Sequence, residues 1–504
     1  MAQAITSTNG MDDLTAFGSL ANSGADLTNY TNELQKDREI RSLAIRRLKR
    51  SDVTGVLCPN FNYKPHTAIQ DKLAAYSNVD LSQYPFLEPK IAIDLIQSNE
   101  LQNIQTFSSN IHDLSVSSSV LLQKLSNSKE FLEVLTNNLF LALESNNPPL
   151  VVSLSAVTTI FLQITNEDNN MILIDSGLSL NLYDFLSSED PNIIVSGLYL
   201  AESISSSSVY GRDSLLCYGI HSLIIELASK EEFSIPACSA ILSIFSKFHC
   251  TDLTIVCTCI EPLAPLLSLP PPSSQLILNA FVEMTNCGPS IGIHIHKSNL
   301  FPLIVSFLSN EELAPTAIRL IGNLSVGQPF LIQSLLDSNL IPLLLPLIEN
   351  PSLTADVIWV LCNAIESFSS PFVDLFTSQQ FLIQILNIAN EGGIDDRREA
   401  SYLIATIVIF GGEAIATIFK TIGKYNELAS ALVEMLGCGI EPNVKRCQDA
   451  ILQLILLENG NEIIAALEEN DIRQRCVELE ENDSLQIVQG ASYLLNLLDK
   501  LENQ

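Results

Sequence analysis

From Lys90 onward the chain alternates apolar runs with short polar breaks, and this alternation predicts a long succession of helices. Typical breaks are Ser145 to Pro149, Ser187 to Pro191, Pro270 to Pro272 and Glu349 to Pro351. Each falls just before the innermost helix of a repeat. Proline suits such starts because its missing N–H would be unpaired there anyway. Leu95 to Leu114 reads as two short helices split at Ser98-Asn99-Glu100. Residues 1 to about 35 are rich in Ser, Thr, Asn, Asp and Gly and read as disordered. The stretch from Ser51 to about Pro89 reads as a polar, proline-containing linker.

The pattern also repeats in detail. Asn299-Leu300-Phe301-Pro302-Leu303-Ile304 returns 40 residues later as Asn339-Leu340-Ile341-Pro342-Leu343-Leu344. Ile321-Gly322-Asn323-Leu324 returns at the same offset as Leu361-Cys362-Asn363-Ala364. Such a period belongs to helical solenoids of the armadillo or HEAT kind. With Trp359 as reference, equivalent positions fall at Thr158, Tyr199, Ile241, Asn279, Arg319, Tyr402 and Asp449, at intervals of 38 to 47 residues. The expected fold is all-α: a right-handed superhelical armadillo-repeat solenoid with a disordered N-terminal arm. A solenoid reconciles 504 residues with one continuous core, because each repeat buries its apolar face only against its neighbours.

Composition narrows the function. The net charge of −31 repels phosphate backbones and argues against direct nucleic-acid binding. Two readings of this charge stand side by side: it attracts basic peptides, or it keeps an apolar-rich chain soluble. The eleven cysteines are scattered, most of them in apolar helical runs, which fits reduced thiols in a cytosolic or nuclear compartment. Neither a signal peptide nor an uninterrupted apolar stretch long enough to cross a bilayer is expected. Cys257-Thr258-Cys259 and His294-Ile295-His296 do not match a zinc module, because i and i+2 point apart on a helix. With no phosphate loop or catalytic set in view, neither enzymatic activity nor a cofactor is expected.

Four stretches resemble the importin alpha family of nuclear-import adaptors. Ala317 to Asn323 resembles its sixth repeat, and Ala355 to Asn363 its seventh, which carries a Trp-x-x-x-Asn motif. Arg398 to Thr406, followed by Gly411-Gly412, resembles the eighth. Ile472 to Leu495 resembles the last repeat, which helps bind a recycling exportin, and Ile93 to Gln102 the entry to the first. The resemblance implies a minor-site-like peptide groove at Arg319, Asn323, Trp359, Asn363, Glu399, Tyr402 and Thr406. There the Asn amide would pair with a peptide backbone, the Trp would flank basic side-chain stems, and Glu399 would meet their heads. On the residues alone, Trp359 also reads as a core aromatic, Asn323 and Asn363 as helix-terminal residues, and Glu399 as part of a charge cluster. The positions matching the family's major site are eroded: Thr158/Leu162, Tyr199/Ser203, an apolar pair near Ile241, and Asn279/Glu283.

Residues 33 to 53 resemble the importin-beta-binding segment. They carry Lys36, Arg38, Arg41, Arg46, Arg47, Lys49 and Arg50, seven basic residues within fifteen. The upstream basic cluster of the family is missing. The implied layout is a disordered segment 1–32, a basic segment 33–53, a linker 54–89, armadillo repeats 90–470 and a degenerate terminal repeat 471–504. The implied role is an adaptor that shuttles between cytoplasm and nucleus and carries basic cargo peptides, with importin beta and a recycling exportin as partners and no membrane insertion. The alternative is an armadillo scaffold without a transport role.

Overall fold

The computed structural model describes residues 84–246, 253–288, 290–326, 328–457 and 460–502. All regular structure among them is helical. The segments 1–32 and 33–53 and most of the linker lie outside the described residues. The described residues fall into two units, 84–300 and 301–502.

In both units one helix recurs in each repeat, and these helices stack as a row. In the first unit these are α1 (Leu101–Ser118), α2 (Pro148–Ile164), α3 (Pro191–Ser207), α4 (Ser234–Ser246) and α5 (Ser273–Thr285). In the second they are α6 (Ala314–Leu324), α7 (Thr354–Ser367), α8 (Ile394–Thr421), α9 (Glu441–Leu456) and α10 (Leu485–Glu502). Inside each unit every row helix packs on the next, and shorter helices back the row.

Local chemistry sets the helix starts. Asn147 accepts the Leu150 N–H at 3.4 Å and Asp190 accepts the Asn192 N–H at 2.8 Å, so side-chain oxygens satisfy otherwise unpaired donors. Pro148 and Pro191 follow them in the first turn, as the polar breaks predicted. The expected split at Ser98 to Glu100 is also present, with Pro89–Gln97 before it and α1 after it. Asn99, Asn299 and Asn339 turn the chain in the left-handed region, at φ of 53°, 53° and 68°. Asparagine visits that region more readily than most residues. The repeated Asn-Leu-x-Pro sequence is therefore a repeated turn.

The repeats are tied by polar bonds one repeat long. Ser205 donates to Ser243 at 2.9 Å and Ser234 to Ser273 at 2.7 Å. Asn363 donates to the Gly322 carbonyl at 3.1 Å, and Gln448 to the Ile487 carbonyl at 3.0 Å. Burial corrects two of the repeat-equivalent positions. Thr158 and Ile241 face the core, whereas Ala156 and Ser239 occupy the open face in line with Tyr199 and Asn279. An apolar run cannot fix which of its residues point outward, which is why the register slipped there.

A second correction concerns α8. It contains an 18-residue window of mean hydropathy 1.9, so one helix is long and apolar enough to cross a membrane by length and composition. More than half of that window is buried inside the fold, and the backbone leaves helical geometry at Gly412, with φ 51° and ψ −130°.

α6 and α7 pack closely at one glycine. The Trp359 indole rests on Gly322, where an added Cβ would come within 1.8 Å of the ring. Gly322→Ala is expected to lower stability by about 1–3 kcal/mol through overpacking. It should also shift the emission of this single tryptophan toward the red. A thermal melt followed by Trp fluorescence checks both, and an unchanged melt would show that the ring moves aside freely.

Candidate functional site

The open face of α6 to α9 gathers the residues singled out by sequence, and it uses most of them for packing. Arg319 on α6 is half-buried, with its Nε shielded from solvent and unpartnered. Asn323, one turn on, is buried. Trp359 is 7% exposed and Asn363 5%, and both close on Gly322: the indole covers its Cα and the amide holds its carbonyl. The Asn amide here serves the neighbouring repeat's backbone, a use equivalent to the peptide pairing that the resemblance implies.

Beyond Asn363 lies a charged cluster from three helices. Glu366 ends the buried face of α7 and receives Arg446 of α9 at 2.8 Å, both side chains almost fully buried at 1% and 4% exposure. The Arg446 guanidinium lies 5.3 Å from the Tyr402 ring centroid and donates to the Tyr402 hydroxyl at 3.3 Å. Thr406 donates to Glu366 at 3.4 Å. Glu399 is buried on α8, one turn before Tyr402. The adjacent arginines are drawn elsewhere, Arg397 to Glu434 at 2.5 Å and Arg398 to Asp395. Tyr402 and Thr406 are thus brought together, but around Glu366 and Arg446, which sequence reasoning missed. Glu366 is a lone charge at the end of an apolar helical run, which is a signal, whereas Arg446 sits among Glu441, Lys445 and Asp449 and does not stand out. Their separation of 80 residues hides the pairing.

The face of α2 to α4 differs. Tyr199 is 47% exposed, while Ser203 is buried and accepts from Gln163 at 3.4 Å. Val152 and Ile235 are also exposed on these helices. Glu202 is the row's carboxylate here. It accepts from Ser239 at 3.0 Å, yet desolvation by burial raises its pKa above the ordinary 4.5, outweighing the lowering by that hydrogen bond.

No group of His, Cys, Asp and Glu among the described residues could hold a metal ion. The cysteines among them are free thiols, and burial pushes Cys238 up to about 11 and Cys476 to about 12, which keeps both protonated and unreactive at neutral pH. Residues 1–83 carry nine basic and nine acidic residues, so the whole net charge of −31 falls on residues 84–504.

No family model matches the chain, and no curated protein does. Solved structures do. An engineered protein is similar over 81% of this chain and 98% of its own, at a TM-score of 0.64 and 15% identity. A structure described by the words "A conserved phosphorylation switch controls the interaction between cadherin and beta-catenin in vitro and in vivo" is similar over 82% of this chain and 86% of its own, at 0.58 and 12%. A designed armadillo repeat protein in complex with the peptide (KR)4 covers 47% of this chain and 99% of its own, at 0.37 and 18%. The first two likenesses are of fold: the chain folds as armadillo repeats.

Two measurements test this chemistry. Replacing Arg446 alone by Met leaves Glu366 buried without its cation and should cost about 3–5 kcal/mol, while Glu366→Met with Arg446→Met should recover most of that loss. Urea unfolding of the three proteins checks it, and a double variant as unstable as the single would refute the pairing. For Glu202, the folded state keeps its proton to higher pH than the unfolded state. Its contribution to stability is therefore full below about pH 4.5 and declines as the pH rises toward the folded value. Glu202→Gln should stabilise the protein at neutral pH and make no difference below pH 4.5, as read from melting temperatures across that range.

Proposed function

We propose that this chain is a protein-interaction scaffold that holds an extended polypeptide along the open face of its row helices, and that it works as a nuclear-import adaptor. The observation that carries the reading is the placement of charge. A surface of net charge −31 on residues 84–504 attracts a basic segment and repels nucleic acid. Short basic peptides of nuclear-localisation type are the cargo this surface favours. The resemblance of residues 33–53 supports importin beta as the transport partner, and that of Ile472 to Leu495 supports a recycling exportin. Shuttling between cytoplasm and nucleus follows from those two partners.

A second reading, a scaffold without a transport role, is favoured by one specific observation. Trp359, Asn363 and Glu366 are already engaged inside the protein, so the positions that would read a basic peptide are largely buried.

The two readings part at the basic segment. The full chain should retain importin beta in a pull-down, and the chain with Lys36, Arg38, Arg41, Arg46, Arg47, Lys49 and Arg50 replaced by Ala should lose it. Absence of capture by the full chain removes the transport reading and leaves the scaffold. On the cargo side, an oligo-lysine/arginine peptide should bind with an affinity that falls steeply with added salt, because the attraction is between exposed charges. If Trp359 and Asn363 serve the peptide, replacing both by Ala should weaken it more than replacing Tyr199 and Ser203. Equal losses would move the site to another part of the face.

A further inference from the structure

We infer that Glu366, Tyr402 and Thr406 form a guanidinium-binding pocket that the chain fills with its own Arg446, so that a partner's arginine enters only when Arg446 leaves. The geometry is that of arginine recognition. A carboxylate lies 2.8 Å from the Arg446 head, an aromatic face lies 5.3 Å from its carbon, and a phenol oxygen accepts at 3.3 Å. Thr406 donates to the same carboxylate oxygen, Oε1, at 3.4 Å. Arginine suits this set because its planar head reaches a carboxylate and a phenol oxygen through Nη2 while lying within cation–π range of the ring, a combination of planar geometry that a lysine ammonium lacks.

The rest of the row shows that such a site is not needed for packing. Other seams between row helices are closed without an ion pair, by hydroxyls at Ser205 with Ser243 and Ser234 with Ser273, and by a carboxylate that accepts from a hydroxyl at Glu202 with Ser239. A buried ion pair is no more stabilising than well-packed apolar residues of similar volume. It does, however, make the pocket selective: with Arg446 withdrawn, Glu366 is a buried carboxylate that favours another cation over a neutral group.

Arg446 comes from α9, while the pocket is built by α7 and α8. It therefore acts as a tethered competitor. A group held in place by the fold competes as an intramolecular ligand, whose effective concentration is set by its fixed position on the helix. A partner's arginine exchanges one guanidinium for another and must outcompete that local concentration. Arg446 thus sets the threshold for arginine at this point of the face. The partner's role rests on the peptide-binding reading above, whereas the pocket itself does not.

The test separates the two. In Arg446→Ala, N-ethylguanidine at millimolar concentration should raise the melting temperature, while ethylamine should not, and neither should shift the wild-type protein. Adding Glu366→Gln should abolish the effect. Arg446→Gln keeps a neutral polar head of similar reach and serves as the second variant if Arg446→Ala does not fold. No stabilisation of either variant by ethylguanidine, or equal stabilisation by ethylamine, overturns the pocket. An octa-arginine peptide titrated against wild type and variant should then bind the variant about tenfold more tightly, with octa-lysine little changed. Rescue by ethylguanidine without that gain upholds the pocket and rejects peptide binding at this part of the face.

Discussion

Inside each unit the inner row helices must bury two flanks against their neighbours. That requirement organises everything else. A lone repeat has nowhere to hide its apolar sides, so it is stable only in a stack. The stack then fixes the polar chemistry as well. Hydroxyls and amides that enter the seams find partners one repeat away, at separations such as 38 for Ser205 with Ser243 and 41 for Asn363 with the Gly322 carbonyl. Buried polar groups without such partners would be costly, so the period of the sequence is also the period of its hydrogen bonds.

The same requirement competes with function at the open face. Trp359 and Asn363 sit in the phase that would face a ligand, yet Gly322 offers no side chain and the indole drops onto its backbone. The space a ligand would use is taken by the next repeat. Glu366 is treated likewise, since a carboxylate on this face is satisfied by an arginine of the same chain. On α2 to α4 the first unit follows another course, leaving Tyr199 and Ile235 exposed beside Glu202, whose burial favours its neutral form. The two faces therefore differ chemically although their backbones repeat.

Much of the fold was legible because its causes are local. The polar breaks with proline became helix starts, and the Asn-Leu-x-Pro echo became a left-handed turn at Asn299 and Asn339. The register of Asn279, Arg319, Trp359 and Tyr402 was readable because polar or aromatic residues interrupt apolar runs at fixed intervals. Where the run is uniformly apolar or small, around Thr158 and Ile241, nothing in the one-dimensional pattern marks the outward residue, and the structure moved both positions by two.

The sequence by itself determined the period, the helix boundaries and the concentration of negative charge on residues 84–504, since these follow from neighbours along the chain and from composition. Only the tertiary structure decided which candidate residues remain available to a partner. That depends on what lies across the seam: a glycine beneath Trp359, a carbonyl in reach of Asn363, and an arginine 80 residues from Glu366. Side-chain burial is settled by pairs distant in sequence, and a helical period records spacing without recording which of two facing repeats yields space to the other.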